Sequence, residues 1–232
     1  MNRSMIGAAL AMFLAVGSLA RAGGIGPVEP YAGKGDLFLG AAYAYGSSTL
    51  SHGGDDITIV QNQVFVETRY NRIGNVESCL RLGAADARTS DTAPDFRGSP
   101  AALVSGELRW LAWSNGTFGA GPFFQVTDAL PAFKDRDQKI KDFTEILGGV
   151  CVQAKAGPAV VYAGPFAYYA TAEYEDAGAR MNLRQKDVLG GYGGVMVKLP
   201  WGLYAHVEGQ YKGEASVAAN LTWMFATVPM GE

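Results

Sequence analysis

The sequence predicts an all-β protein: a closed, antiparallel, up-and-down transmembrane β-barrel of ten strands, with eight as the alternative. Three features predict it. From Gly35 onward the hydrophobic period is 2 rather than 3.6. Most of the extended runs reach the roughly nine to eleven residues that a tilted strand needs to cross a bilayer, where a soluble strand averages about five or six. Short turns also alternate with longer polar connections along the chain.

Residues 1–22 read as a secretory signal peptide. Arg3 gives a positive start, Met5 to Ala20 is apolar or small, and Ala20-Arg21-Ala22 has the small-x-small pattern of a cleavage site. The apolar run is shorter than the ~20 residues of a spanning helix. Residues 23–34 follow as a periplasmic N-terminal segment, 35–225 form the barrel, and 226–232 form a short periplasmic tail. The full chain carries a net charge of −3, and the leader holds two arginines and no acid, so the mature part is more acidic still. That balance excludes nucleic acid as a partner, because phosphates demand a basic footprint.

Ten strands are expected at 35–46, 57–70, 76–88, 101–113, 118–128, 142–155, 159–174, 183–198, 203–211 and 214–225. The last is the clearest: Ala215, Val217, Ala219, Leu221, Trp223 and Phe225 alternate with Glu214, Ser216, Asn220 and Thr222. Short turns rich in Asn, Gly and Pro fall at Asn71–Asn75, Ser114–Thr117, Ala156–Pro158 and Pro200–Gly202. Longer polar connections fall at Ser47–Asp56, Thr89–Pro100, Ala129–Lys141 and Glu175–Asn182. Sorting of loops by end is a property of outer-membrane barrels, with short periplasmic turns and longer outer loops. Around Asn115-Gly116 a two-residue turn conflicts with the face expected of Arg109, so a bulge or a longer turn is required.

The two faces suggest what each meets. The polar side carries Glu67, Arg69, Glu77, Arg81, Glu107, Arg109, Glu145, Glu173, His206 and Glu208, several in mid-strand. Placed in a lumen, these side chains form an interlocked charge network that narrows or closes the interior. Symmetric pairing about Ile73 sets Arg69 across from Glu77. The apolar side carries an aromatic girdle of Tyr70, Trp110, Trp113, Tyr162, Tyr168, Tyr211, Trp223 and Phe225, suited to the headgroup level of a bilayer. The alternative, a soluble periplasmic lipocalin-like binding barrel, would turn those aromatics inward.

Signals for catalysis are weak. His52 lies near Ser47, Ser48, Ser51, Asp55 and Asp56, and His206 lies two residues from Glu208; Ser, His and Asp can be found together in almost any polar loop. No haem, zinc or calcium pattern is present, so neither cofactor nor metal is expected. Cys79 and Cys151 fall three strands apart on the lumen face, too far for the roughly 7 Å limit of a disulfide, and are expected to be free thiols. Gly190-Gly191-Tyr192-Gly193-Gly194 lies inside a strand pattern and marks close packing.

With these features the mature chain resembles the small outer-membrane barrel proteins of Gram-negative bacteria, the OmpA-, OmpX-, OmpW- and opacity-protein-like group. Its most specific piece is Gly213 to Phe225, similar to the C-terminal assembly signal of such barrels, although Ala226–Glu232 follows where those chains stop. The resemblance implies an outer-membrane location and contact with outer-membrane lipid and lipopolysaccharide. It also implies recognition of the last strand by the barrel-assembly machinery and an extracellular ligand for the outer loops. The expected function is a non-catalytic structural or surface-interaction barrel, or a narrow small-solute channel; the alternative is an outer-membrane enzyme, lipid A-modifying or an omptin-like protease.

Overall fold

A computed structural model describes residues 24–30, 33–52, 55–90, 96–130, 132–185 and 188–228. The expected signal peptide and the last four residues lie outside the described residues. Ten barrel strands follow one another in the chain: β1 (Asp36–His52), β2 (Asp55–Asn71), β3 (Val76–Ser90), β4 (Arg97–Trp110, extended by Trp113–Ser114) and β5 (Phe118–Leu130, continued by Phe133–Asp135). The second half holds β6 (Gln138–Ala156), β7 (Ala159–Asp176), β8 (Ala179–Gln185 and Leu189–Lys198), β9 (Leu203–Tyr211) and β10 (Ala215–Thr227). Each pairs antiparallel with its chain neighbour, and β10 pairs with β1 from Asp36↔Thr227 to Tyr45↔Val217, which closes the ring. Closure leaves no open sheet edge, the condition for strands to cross lipid.

Three of the four polar connections expected to be outer loops are largely strand. Ser47–His52, Phe133–Asp135 and Ala179–Gln185 all join the sheet. The reason is that their alternation never stops: Ser48 and Leu50 continue the inward face of β1, and Ile59 that of β2. β1 and β2 each run 17 residues and β6 runs 19, well beyond the roughly ten that span hydrocarbon. The hairpin of β9 and β10 stops short at Tyr211 and Ala215. Above it β8 pairs directly with β1 through Leu50↔Gln185 and Ser51↔Arg184. Ten strands therefore form the turn end, and eight continue to the loop end.

Local chemistry sets the register. The β2–β3 turn centres on Gly74, not on Ile73, because Gly74 takes φ +83°, a region that costs other residues about 1–2 kcal/mol. The Asn71 side chain locks it, accepting from the Gly74 N–H at 2.8 Å and donating to the Gly74 carbonyl at 3.1 Å. Arg69 consequently lies across from Cys79, and Asn71 across from Glu77. The conflict near Asn115 is resolved by one extra residue: Leu108 pairs with Phe124, whereas Trp113 pairs with Ala120. That slip places a bulge around Leu111 and Ala112.

Outward positions between the turns and mid-strand are bare and apolar, with Val66 65% and Leu82 56% exposed beside Leu80, Val104, Phe124, Val150, Val152 and Val161. A continuous apolar belt of this kind is unfavourable in water. At the turn end it is bordered by Trp110, Trp113, Trp223 and Phe225, joined by Trp201 and Phe118; Tyr211 and Tyr169 lie exposed further up. Tyr162 and Tyr168 do not belong to this girdle. They are 2% and 3% exposed and point into the ring, because the even-numbered residues of β7 face inward. The Gly190–Gly194 run makes room for inward rings of β7: a Cβ at Gly190 would strike the Phe166 ring and one at Gly194 the Tyr162 hydroxyl.

Candidate functional site

The interior at the turn end is built on three neighbouring strands. β2 contributes Glu67 and Arg69, β3 Glu77 and Arg81, and β4 Glu107 and Arg109, each pair two or four residues apart and hence on one face. Their charges close a hexagon. Glu67 meets Arg69 at 2.9 Å, Arg69 meets Glu77 at 3.1 Å, and Glu77 meets Arg109 at 2.9 Å. Arg109 meets Glu107 at 2.5 Å, Glu107 meets Arg81 at 2.5 Å, and Arg81 returns to Glu67 at 3.0 Å. All six residues are 5% exposed or less. Each carboxylate sits between two guanidinium groups and the ring is neutral, the condition under which buried ions are tolerated. The Arg69–Glu77 pair expected from sequence is thus present, but on the diagonal.

The stretch ahead of β1 enters this interior. Residues 24–30 run through the lumen, bending at Val28 and Glu29, and the wall binds their backbone. Arg81 donates to the Gly24 carbonyl at 2.8 Å and Arg109 to the Pro27 carbonyl at 2.6 Å. Glu208 accepts from the N–H groups of Ile25 and Gly26 at 2.8 and 2.7 Å. Gly26 takes φ +78° and lies so close to the Arg109 guanidinium that a Cβ would collide with it. Further along, Gln153 accepts from the Glu29 N–H at 2.9 Å and donates to its carboxylate at 3.0 Å, and Lys155 pairs with that carboxylate at 2.5 Å. Ile25 and Val28, both fully buried, pack among Phe123, Leu147, Cys151, Tyr162, Phe166, Tyr168 and Tyr192.

Glu208 also ties together its own sector of the wall, from β7 to β9. Tyr162 donates to it at 2.9 Å and contacts Nε2 of His206, and Gln210 donates to its other oxygen at 2.7 Å. Higher up, Lys212 pairs with Glu145 at 2.8 Å while its carbonyl accepts from the Tyr168 hydroxyl at 2.8 Å. Glu173 does not reach the lumen. It sits outward on β7 at the loop end, 3.7 Å from Arg180, because odd-numbered residues of that strand face out.

Above the charges the interior becomes apolar. Leu50, Ile59, Phe65, Phe96, Phe133, Ile140, Phe143, Tyr174 and Leu183 form a buried cluster inside the loop end, with Phe96–Tyr174 and Phe133–Phe143 meeting edge to face at 6.4 and 6.5 Å. The lumen therefore holds an ionic stopper with a chain segment through it, and an apolar stopper above.

Two sites weighed for chemistry look different in three dimensions. Ser51 donates to Asp56 at 2.6 Å, while His52 faces away to the Asn182 carbonyl, 2.9 Å from Nδ1. His206 is enclosed by Tyr162 and Glu208, without access from solvent. Cys79 and Cys151 are buried free thiols. Among the described residues no group of three or more His, Cys, Asp or Glu is arranged to hold a metal ion.

No protein-family model matches the chain, and no curated protein matches it in sequence. Among solved structures, the chain is similar to the COG4313 outer membrane channel from Pseudomonas putida F1, with a TM-score of 0.53 at 7% identity over 86% of this chain and 98% of that one. The outer membrane protease OmpT of Escherichia coli aligns with a TM-score of 0.38 at 9% identity, covering 82% of this chain and 95% of that one. The β domain of the Bordetella autotransporter BrkA aligns with 0.43 at 13% identity, covering 83% and 100%. The fold is that of an outer-membrane β-barrel.

Proposed function

We propose that the protein is a non-conducting barrel of the bacterial outer membrane, with a structural or surface-interaction role carried by its loop end. The observation that carries this reading is the filled lumen: the Glu67–Arg69–Glu77–Arg109–Glu107–Arg81 hexagon, with residues 24–30 bound against it. A channel needs a continuous polar path, and here the ions are spent on one another and on chain backbone. The apolar cluster above them offers no hydration to a passing solute. On this reading neither histidine is catalytic, since His52 meets a carbonyl and His206 is sealed.

The location rests on the bare apolar belt and its aromatic border. The alternation of β10 up to Phe225 supports its recognition by the assembly machinery. Purified full-length protein in a planar bilayer is expected to show no steady conductance. A large, stable, ohmic channel would overturn the reading and favour the narrow solute channel, with residues 24–30 as its movable part.

A further inference from the structure

The chain segment in the lumen brings its leading end against a patch of β9 and β10 whose hydrogen bonding is incomplete. Gly24 is buried, and a Cβ on it would lie 2.6 Å from Cε1 and 3.4 Å from Nδ1 of His206, and 3.3 Å from the Ala218 Cβ. His206 and Asn220 stand directly across the β9–β10 ladder from one another, 1% and 3% exposed. The Tyr162 hydroxyl gives its proton to Glu208. Its oxygen therefore accepts from Nε2–H of His206, which leaves Nδ1 as an acceptor. The Asn220 amide donates from Nδ2 to Glu67 at 3.0 Å, and this fixes Oδ1 as its free acceptor. Among the described residues neither His206 Nδ1 nor Asn220 Oδ1 receives a hydrogen bond, a costly state for buried polar atoms.

Charge is incomplete at the same place. The hexagon is neutral and Lys212 pairs with Glu145. Glu208, fully buried, meets no Lys or Arg among the described residues. Its partners are the Ile25 and Gly26 N–H groups, Tyr162, Gln210 and, at 3.5 Å, His206. A buried carboxylate without a cation is unfavourable. What the patch beside Gly24 lacks is a cation that carries several N–H donors. The chain can supply one itself: cleavage after Ala22 makes Gly23 the first residue, and Gly23 is only about 3.8 Å along the chain from Gly24.

We propose that this part of the lumen is a dock for the protein's own α-ammonium group, formed when the signal peptide is removed. His206 Nδ1 and Asn220 Oδ1 accept from it, and Glu208 is its counter-ion. Hydrolysis of the Ala22–Gly23 peptide bond consumes one water and leaves a carboxylate on Ala22 and a protonated amine on Gly23. Before the cut the same nitrogen is a neutral amide with a single N–H. It can neither serve both acceptors nor balance Glu208, so removal of the leader completes the seal. The inference rests on the filled lumen proposed above.

The test uses the exported protein purified in detergent. Its intact mass is expected to begin at Gly23. An aldehyde reagent selective for α-amines is expected to label the folded barrel about tenfold or more slowly than the denatured chain. Equal rates, or a chain that retains the leader, overturn the dock. In the double variant H206F/N220L the folded protein is expected to label at close to the denatured rate, and unchanged protection overturns the role of these acceptors. If that variant does not fold, the wild-type chain acetylated at its α-amine by an N-terminal acetyltransferase before refolding serves instead. It is expected to melt lower by about 5 °C or more. An unchanged melting temperature would mean that a charged His206 balances Glu208, which overturns the proposal as well. Heat modifiability and planar-bilayer conductance report the closed barrel and its seal separately, so a sealed barrel with a freely labelled α-amine refutes the dock and leaves the proposed function standing.

Discussion

Glu67 is the residue on which the ionic ring turns, since it touches Arg69 and Arg81 and also accepts from Asn220 of β10 at 3.0 Å. Glu67→Gln keeps the shape but leaves two buried guanidinium groups short of charge, which costs about 3–5 kcal/mol when one partner of a buried pair is lost. Urea unfolding in detergent should show that loss, and a midpoint equal to wild type would argue against a closed ring. At the loop end Glu175 gives a contrasting case. Lys141, hydrogen-bonded to its carboxylate, and then Lys139 hold its pKa below the ordinary glutamate value. A carboxylate with a lowered folded pKa adds stability above its unfolded pKa and loses it as pH falls through the folded value. NMR titration should place Glu175 below a free glutamate, and Lys141→Ala should move it back up. The charged residues themselves were visible from sequence as polar positions on an alternating face. Which carboxylate meets which guanidinium was not, because a one-residue shift in the β2–β3 turn, decided by the φ of Gly74, changes every pairing.

Among the elements, residues 24–30 stand out because no periodic pattern announces them. The sequence Gly24-Ile25-Gly26-Pro27-Val28-Glu29-Pro30 is too short for a membrane-spanning strand and reads as a lead-in to the barrel. Its affinity for the lumen comes from backbone groups, which every residue has. The one sequence-level signal is the pair Ile25 and Val28, apolar residues in a stretch otherwise expected to meet water. Removing residues 24–30 would leave Glu208 and the Arg81 and Arg109 groups without their backbone partners. The expected result is a barrel that still closes but unfolds at a lower temperature in detergent; an unchanged melting temperature would mean the segment contributes nothing to the sealed state. β7 shows the opposite failure. Its aromatics are so frequent that Tyr162 and Tyr168 fit a girdle as well as a core; the burial of the even-numbered face of β7 turns both rings inward, and Gly194 on β8 leaves the space that the Tyr162 hydroxyl fills.

At the scale of the whole molecule, the belt of bare apolar side chains and the closed ring make a definite prediction. The mature protein should sediment with outer membranes and migrate faster on a gel before boiling than after. Recovery from the soluble periplasm without detergent would contradict the location. Strand type and the inward or outward sense of most residues were determined by the sequence alone, because period-2 alternation is a local property that each segment carries independently; the choice of ten strands over eight came only with the closed ring. Tertiary structure decided the closed charge hexagon, the chain segment drawn through the lumen, and the narrowing from ten strands to eight above the β9–β10 hairpin. These depend on registers and on contacts between residues more than a hundred positions apart, such as Ile25 with Glu208, and so appear only once the ring has closed.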